Sequence, residues 1–149
     1  MQHSHTTPCT YDDYLLLPDD GKRYEIIDGE LFVAPAPFID HQRISIFLTN
    51  IIFEYVSEMK IGEVFTAPGD VVFSMIDIVQ PDIVYVSASR KEIITKRNII
   101  AAPDFVVEIL SLSTVLADRT TKKSLYEKYG VKEYWIVDPE EETIEVFNL

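Results

Sequence analysis

The sequence predicts an α/β (α+β) domain, a mixed β-sheet flanked by helices, on three observations. Short runs rich in Val, Ile, Phe and Tyr recur along the chain, separated by Gly, Pro and Asp turns. Two longer stretches, about 39–59 and 116–129, carry their apolar residues on one helical stripe instead. Residues 105–110, Phe-Val-Val-Glu-Ile-Leu, form a near-continuous apolar run, the pattern of a strand covered on both faces. At 149 residues and 47% apolar content the chain suits one domain with a sizeable core. We expect residues 1–9 to be a flexible lead and 10–149 to be that domain.

Thr10 and Asp13 resemble a capping box that starts a short helix over Tyr11 to Leu17, ended by Pro18-Asp19-Asp20-Gly21. Residues 24–27 and 30–33 flank Asp28-Gly29, a hairpin signal. Pro35 and Pro37 then break the ladder. The long helix from about Ile39 to Met59 aligns Ile44, Phe47, Leu48, Ile51, Ile52 and Tyr55 against a sheet, and Gly62 ends it. His41, in its first turn, reads as a surface or capping residue, because no second His or Cys follows at a metal-ligand spacing. Residues 63–66 and 70–73 form two strands joined by a tight turn at Pro68-Gly69. Residues 79–86 form one apolar strand with Asp82 near its start. A basic, irregular segment from Ser87 to Ala102 carries a helical turn near Lys91 to Ile94. The second helix, 116–129, buries Leu125, Tyr126 and Tyr129 and is capped by Gly130. A hairpin of 133–137 with 143–147 closes the chain, which stops while its last strand is still running. We therefore expect a truncated domain, or another chain completing that edge.

Glu108 is the anomaly of the covered strand. Burying an unpaired carboxylate costs several kcal/mol, so Glu108 is solvated at a strand end, neutral, paired with a cation or bound to a metal. Asp82 repeats the pattern. Asp118 and Lys122, four apart on a helix, read as a plain surface ion pair or as part of a site.

Other function classes are narrowed by composition. A single cysteine, Cys9, excludes an internal disulfide and a multi-cysteine zinc site. No run of eighteen apolar residues and no signal pattern are present, so a soluble cytoplasmic protein without a membrane partner is expected. The net charge of −12 argues against a broad phosphate-binding surface. Between Arg90 and Lys132, however, nine basic residues stand against five acidic ones. That local excess makes Arg90, Lys91 and Arg119 candidate nucleic-acid contacts. A glycosidase pairing Asp82 with Glu108 would need a sugar-sized cleft with an aromatic platform, and the sequence offers none.

Two carboxylates on strands and a lysine on the following helix match metal-assisted phosphodiester hydrolysis. Hard cations such as Mg²⁺ or Mn²⁺ take carboxylate and carbonyl oxygens, and a lysine can orient water or stabilise charge on phosphate oxygens. The runs Tyr24 to Glu30, His41 to Ile44, Val79 to Asp82, Pro103 to Ser111, Asp118-Arg119 with Lys122 and Tyr126, and Gly130 to Pro139 resemble the bacterial Uma-two family of restriction-type endonucleases. The resemblance covers nearly the whole chain from Thr10. That family is similar to the PD-(D/E)XK nucleases, which implies a restriction-endonuclease-like fold, a DNA substrate and a Mg²⁺ or Mn²⁺ cofactor. Carried over, Asp82 is the motif aspartate, Glu108 the second acid, and the Ile109 carbonyl a metal ligand. Leu110 stands where the motif lysine belongs, so the resemblance moves that role to Lys122, with Lys123 as fallback. Leu112 replaces a usual proline, and Glu25 resembles an acid that some members add from an earlier element. A homodimer is expected, since cutting both strands of a duplex takes two sites. The alternative is a catalytically silent relative that binds nucleic acid or a protein partner, which Leu110 and the acidic charge favour.

Overall fold

The computed structural model describes residues 7–149. Residues 1–6 of the expected flexible lead lie outside the described residues. Cys9 belongs to the fold: its amide donates to the Gly29 carbonyl at 2.9 Å. Among the described residues no helix is long and apolar enough to cross a membrane.

The capping box forms as read, with Thr10 and Asp13 satisfying each other's backbone amides, but the helix it starts, α1, ends at Tyr14 (Tyr11–Tyr14). Strands β1 (Arg23–Ile27) and β2 (Glu30–Ala34) make the expected hairpin. Asp28 and Gly29 take φ of 52° and 74°, the double left-handed turn that an Asp-Gly pair favours. Helix α2 (Ile39–Met59) has the expected bounds, but its end is set by Lys60 in a left-handed conformation, not by Gly62. Gly62 instead opens β3 (Gly62–Thr66), where a Cβ would lie 2.2 Å from the Val86 carbonyl oxygen. Glycine is required there by close strand approach.

Two five-stranded mixed sheets form where one was expected. One has the order β2-β1-β5-β4-β7, with β4 (Asp70–Ser74), β5 (Asp77–Val79) and β7 (Asn98–Ile99). The other has the order β10-β9-β8-β6-β3, with β6 (Ile83–Ser87), β8 (Phe105–Ile109), β9 (Glu133–Asp138) and β10 (Thr143–Asn148). Residues 79–86 are thus not one strand. Gln80-Pro81-Asp82 carries the chain from the first sheet to the second, and Pro81 lacks the amide a continuing ladder would need. Likewise β3 and β4 lie in different sheets and are not a hairpin.

Strand β8 pairs antiparallel with β6 and parallel with β9, which explains its unbroken apolar pattern. Its Val107 and Ile109 pack under Ile44, Leu48 and Ile52 of α2. Its opposite face, Val106 and Leu110, joins Ile27, Val71 and Val79 of the first sheet in the main core, and Glu108 alternates onto that face. The second helical stretch is not continuous: α3 (Val115–Ala117) leads through a π-helical turn, Asp118–Lys122, into α4 (Lys123–Tyr129). The widened turn places Asp118 and Lys122 both inside. Gly130, at φ 83°, caps α4 as expected.

Candidate active site

The site lies at the seam of the two sheets, where Arg23 and Glu25 of β1, His41 of α2, Asp82 of the crossover, Glu108 of β8 and the π-turn residues converge on a cavity of about 100 Å³. Glu108 and Lys122 are 2% and 5% exposed. The Lys122 ammonium lies 3.0 Å from Glu108 Oε1, 3.0 Å from Glu25 Oε2 and 3.5 Å from Asp118 Oδ1. Asp118 with Lys122 is therefore a buried part of a network rather than a surface pair. Glu108 Oε1 also accepts from the Tyr126 hydroxyl at 2.6 Å, while Glu25 Oε1 accepts from the Gln80 amide at 2.7 Å.

Asp82 is held by different donors. Its Oδ1 accepts from Arg23 Nη1 at 2.6 Å, and its Oδ2 meets His41 Nε2 at 3.1 Å and the Ile109 amide at 2.8 Å. The Ile109 carbonyl leaves the strand on the same edge as its amide, toward Asp82. His41 is thus buried against a carboxylate and not at the surface, and its Nδ1 has no partner among the described residues.

These settings push the two carboxyls apart. Burial raises Glu108 well above the ordinary carboxylate range, a rise that Lys122 opposes and Asp118 reinforces. Burial acts on Asp82 too, but the His41 hydrogen bond and the Arg23 charge outweigh it and hold Asp82 below its usual value. Burial also raises Asp118. For Lys122 burial favours the neutral amine, yet Glu108, Glu25 and Asp118 outweigh it and keep it an ammonium. Lys122 is a donor of hydrogen bonds and charge, not a base.

Four carboxylates against two permanent cations leave the cavity with a negative excess that protons or a metal ion would neutralise. Among the described residues, no three His, Cys, Asp or Glu side chains are gathered as a finished metal cage. The donor chemistry nonetheless suits a hard divalent cation that keeps most of its water. The bonds that Glu108 accepts from Lys122 and Tyr126 both fall on Oε1, and Asp82 and Ile109 line the same cavity.

Of the remaining expected site residues, Lys123 turns outward and lies over the Phe147 ring at 4.0 Å. Arg119 pairs with Asp138 at 3.2 Å and with Glu145. Arg90 pairs with Asp104 at 3.3 Å, at the end of β8 away from Glu108, and Lys91 follows it there. The structure does not bring these four to the cavity. Arg23, His41 and Tyr126 are the members that sequence reasoning missed, while Asp118 was read either as half of a surface pair or as part of a site. For Arg23 a signal existed, because residues two apart on a strand share a face and Glu25 was already a candidate.

The profile of the Uma2 (Uma-two) family, described as "Putative restriction endonuclease", matches residues 11–149. The chain belongs to this family. A crystal structure from Anabaena variabilis ATCC 29413, described as a putative nuclease belonging to DUF820, resembles the Uma2 chain with a TM-score of 0.81 and 28% identity, over 95% of this chain and 80% of that one. No curated protein matches. The fold is restriction-endonuclease-like, as the sequence led us to expect, and both matches carry the description "putative" nuclease or endonuclease.

Proposed function

We propose that this Uma2 protein is a divalent-metal-dependent endonuclease that hydrolyses phosphodiester bonds of DNA. One observation carries the reading: Glu108 and Asp82, two buried carboxyls, line one cavity with the Lys122 ammonium, and burial raises Glu108 while His41 and Arg23 hold Asp82 down. Asp82, Glu108 and the Ile109 carbonyl would hold Mg²⁺ or Mn²⁺, with Glu25 as a further acid. When bound, the ion would supply charge neutralisation at the phosphate and an acidified water. Lys122 keeps its hydrogen bonds directed at the cavity, and Tyr126 fixes the Glu108 carboxyl through Oε1, leaving Oε2 for the ligand. Arg23 reaches Asp82 while its side chain is 22% exposed, so it can exchange that carboxylate for a phosphate oxygen. A homodimer in the cytoplasm belongs to the same reading.

The competing reading is a silent relative that only binds. It is favoured by Leu110 at the motif-lysine position and by Arg23, His41 and Lys122 occupying oxygens a metal would use. Calorimetric titration of Mn²⁺ into the protein, with cleavage of plasmid and oligonucleotide DNA alongside, decides between them. Saturable binding and cleavage that Glu108→Gln and Asp82→Asn both abolish supports the nuclease. Neither binding nor cleavage, in protein whose fold is intact and with DNA present, refutes it.

A further inference from the structure

A groove of about 1170 Å³ lies on the outer side of Arg23 and His41. One wall is the segment from Tyr14 to Tyr24, and the other is a stripe of α2 running from His41 to Phe53. The twelve steps of 1.5 Å from His41 to Phe53 make that wall about 18 Å long. Arg23 and His41 line both this groove and the cavity of Glu108, so the groove leads into the site.

Its chemistry is unlike that of a duplex-binding surface. Three cations, Lys22, Arg23 and Arg97, share it with Asp19 and Asp70. Lys22 is already paired with Asp20 at 3.3 Å and Arg23 with Asp82. About six to ten phosphate contacts, as in a strong duplex binder, have no source there. The groove instead presents apolar side chains: Leu15, Ile46 and Phe53 are 52%, 71% and 56% exposed. On the facing wall the Tyr24 ring is steadied by its hydroxyl, which donates to Asp20 at 2.9 Å. Rings of this kind stack on base faces, and base faces are free only in unpaired strands.

We propose that this groove holds about five unpaired nucleotides of a single DNA strand, stacked on Phe53 and Tyr24, with one phosphate passing Arg23 toward Asp82. The strand length follows from about 18 Å at the 3.4 Å rise of a stacked strand. The proposal rests on the nuclease reading for what becomes of the strand, and makes the substrate a free strand, a flap or a melted end. Each site then handles one strand, in a dimer or alone.

Fluorescence anisotropy with labelled oligothymidine and with a duplex of the same length, in chelator at low salt, separates binding from cleavage. The single strand should bind at least tenfold more tightly than the duplex, and Phe53→Ala should weaken it about tenfold. Phe47→Ala, on the other flank of α2 and 64% exposed, should change nothing. Equal or tighter duplex binding overturns the proposal, as does unchanged strand affinity in Phe53→Ala with helix content intact. Binding of neither DNA also overturns it and leaves a protein as the groove's occupant. Mn²⁺-dependent cleavage separates the two readings: strand binding through Phe53 with no cleavage sinks only the nuclease, while cleavage indifferent to Phe53→Ala sinks only the groove.

Discussion

Replacing Lys122 by Met removes the one cation shared by three buried carboxyls while nearly preserving volume. Its ammonium sits 3.0 Å from both Glu108 and Glu25. At an effective dielectric of about 20, each such contact amounts to roughly 5 kcal/mol before desolvation is subtracted. Deleting one partner of a buried pair typically costs about 3–5 kcal/mol, because the remaining charge stays buried and unpaired. For a chain of this size each kcal/mol moves Tm by about 2–4 °C, so a fall of about 10 °C is expected at neutral pH. The loss should depend on pH, with a definite sign. Glu108 and Asp118 already have raised pKa values through burial, and without Lys122 they rise further. A carboxyl raised in the folded state contributes its stability below the unfolded value, about 4, and loses it as pH climbs through the folded value. The deficit should therefore be slight near pH 4 and larger at pH 8. Urea unfolding followed through Trp135, the single tryptophan, measures it at both. A deficit under about 1 kcal/mol, or one equal at the two pH values, would refute the picture of Lys122 as the neutralising centre.

Other substitutions probe neighbouring parts. Asp82→Asn keeps a single acceptor, which can serve the Ile109 amide, and turns an NH₂ toward Arg23, so it should cost about 1–3 kcal/mol in denaturant while abolishing Mn²⁺ uptake in calorimetry. Lys123 lies over the Phe147 ring, outside the cavity, so with Lys123→Ala cleavage should stay within about twofold of wild type and stability within about 1 kcal/mol. A marked loss of rate would give Lys123 the role assigned to Lys122. Gly62→Ala forces a Cβ against the Val86 carbonyl and should destabilise by about 3 kcal/mol, seen as a lower Tm.

What could be read from the sequence was what local pattern controls. Asp-Gly dictates its own turn, the α2 stripe its own length, and a charge inside an apolar run flags Glu108 whatever surrounds it. What could not be read was set across the fold. His41 is a lone histidine in a helix whose burial depends on Asp82, forty-one residues away. The run from Val79 to Val86 is largely apolar on both sides of the crossover because both sheets are covered, so hydropathy hides the break at Pro81. The π turn at Asp118–Lys122 is likewise invisible to a 3.6-residue period, and it is that turn which moves the pair from surface to interior. Lys22, Arg97 and Phe53 carried no signal, since their shared groove is built by elements far apart in the chain.

The hydrogen bond from the Ile109 amide to Asp82 has a bearing on how relatives that have lost catalysis would look. Backbone pairing of β6 with β8 ends at Ile83 and Val107, and the next amide along β8 finds a side-chain oxygen in place of a carbonyl. Asp82 thus closes a sheet ladder as well as facing the cavity. A change of function would spare this position, because an acceptor there satisfies the Ile109 amide at the end of the ladder. Glu108, Glu25 and Asp118 all depend on the Lys122 charge, so loss of the lysine leaves three buried carboxyls unpaired and favours their replacement together. A relative without the activity proposed here should therefore keep an acceptor at 82 and show concerted replacement at 25, 108, 118 and 122.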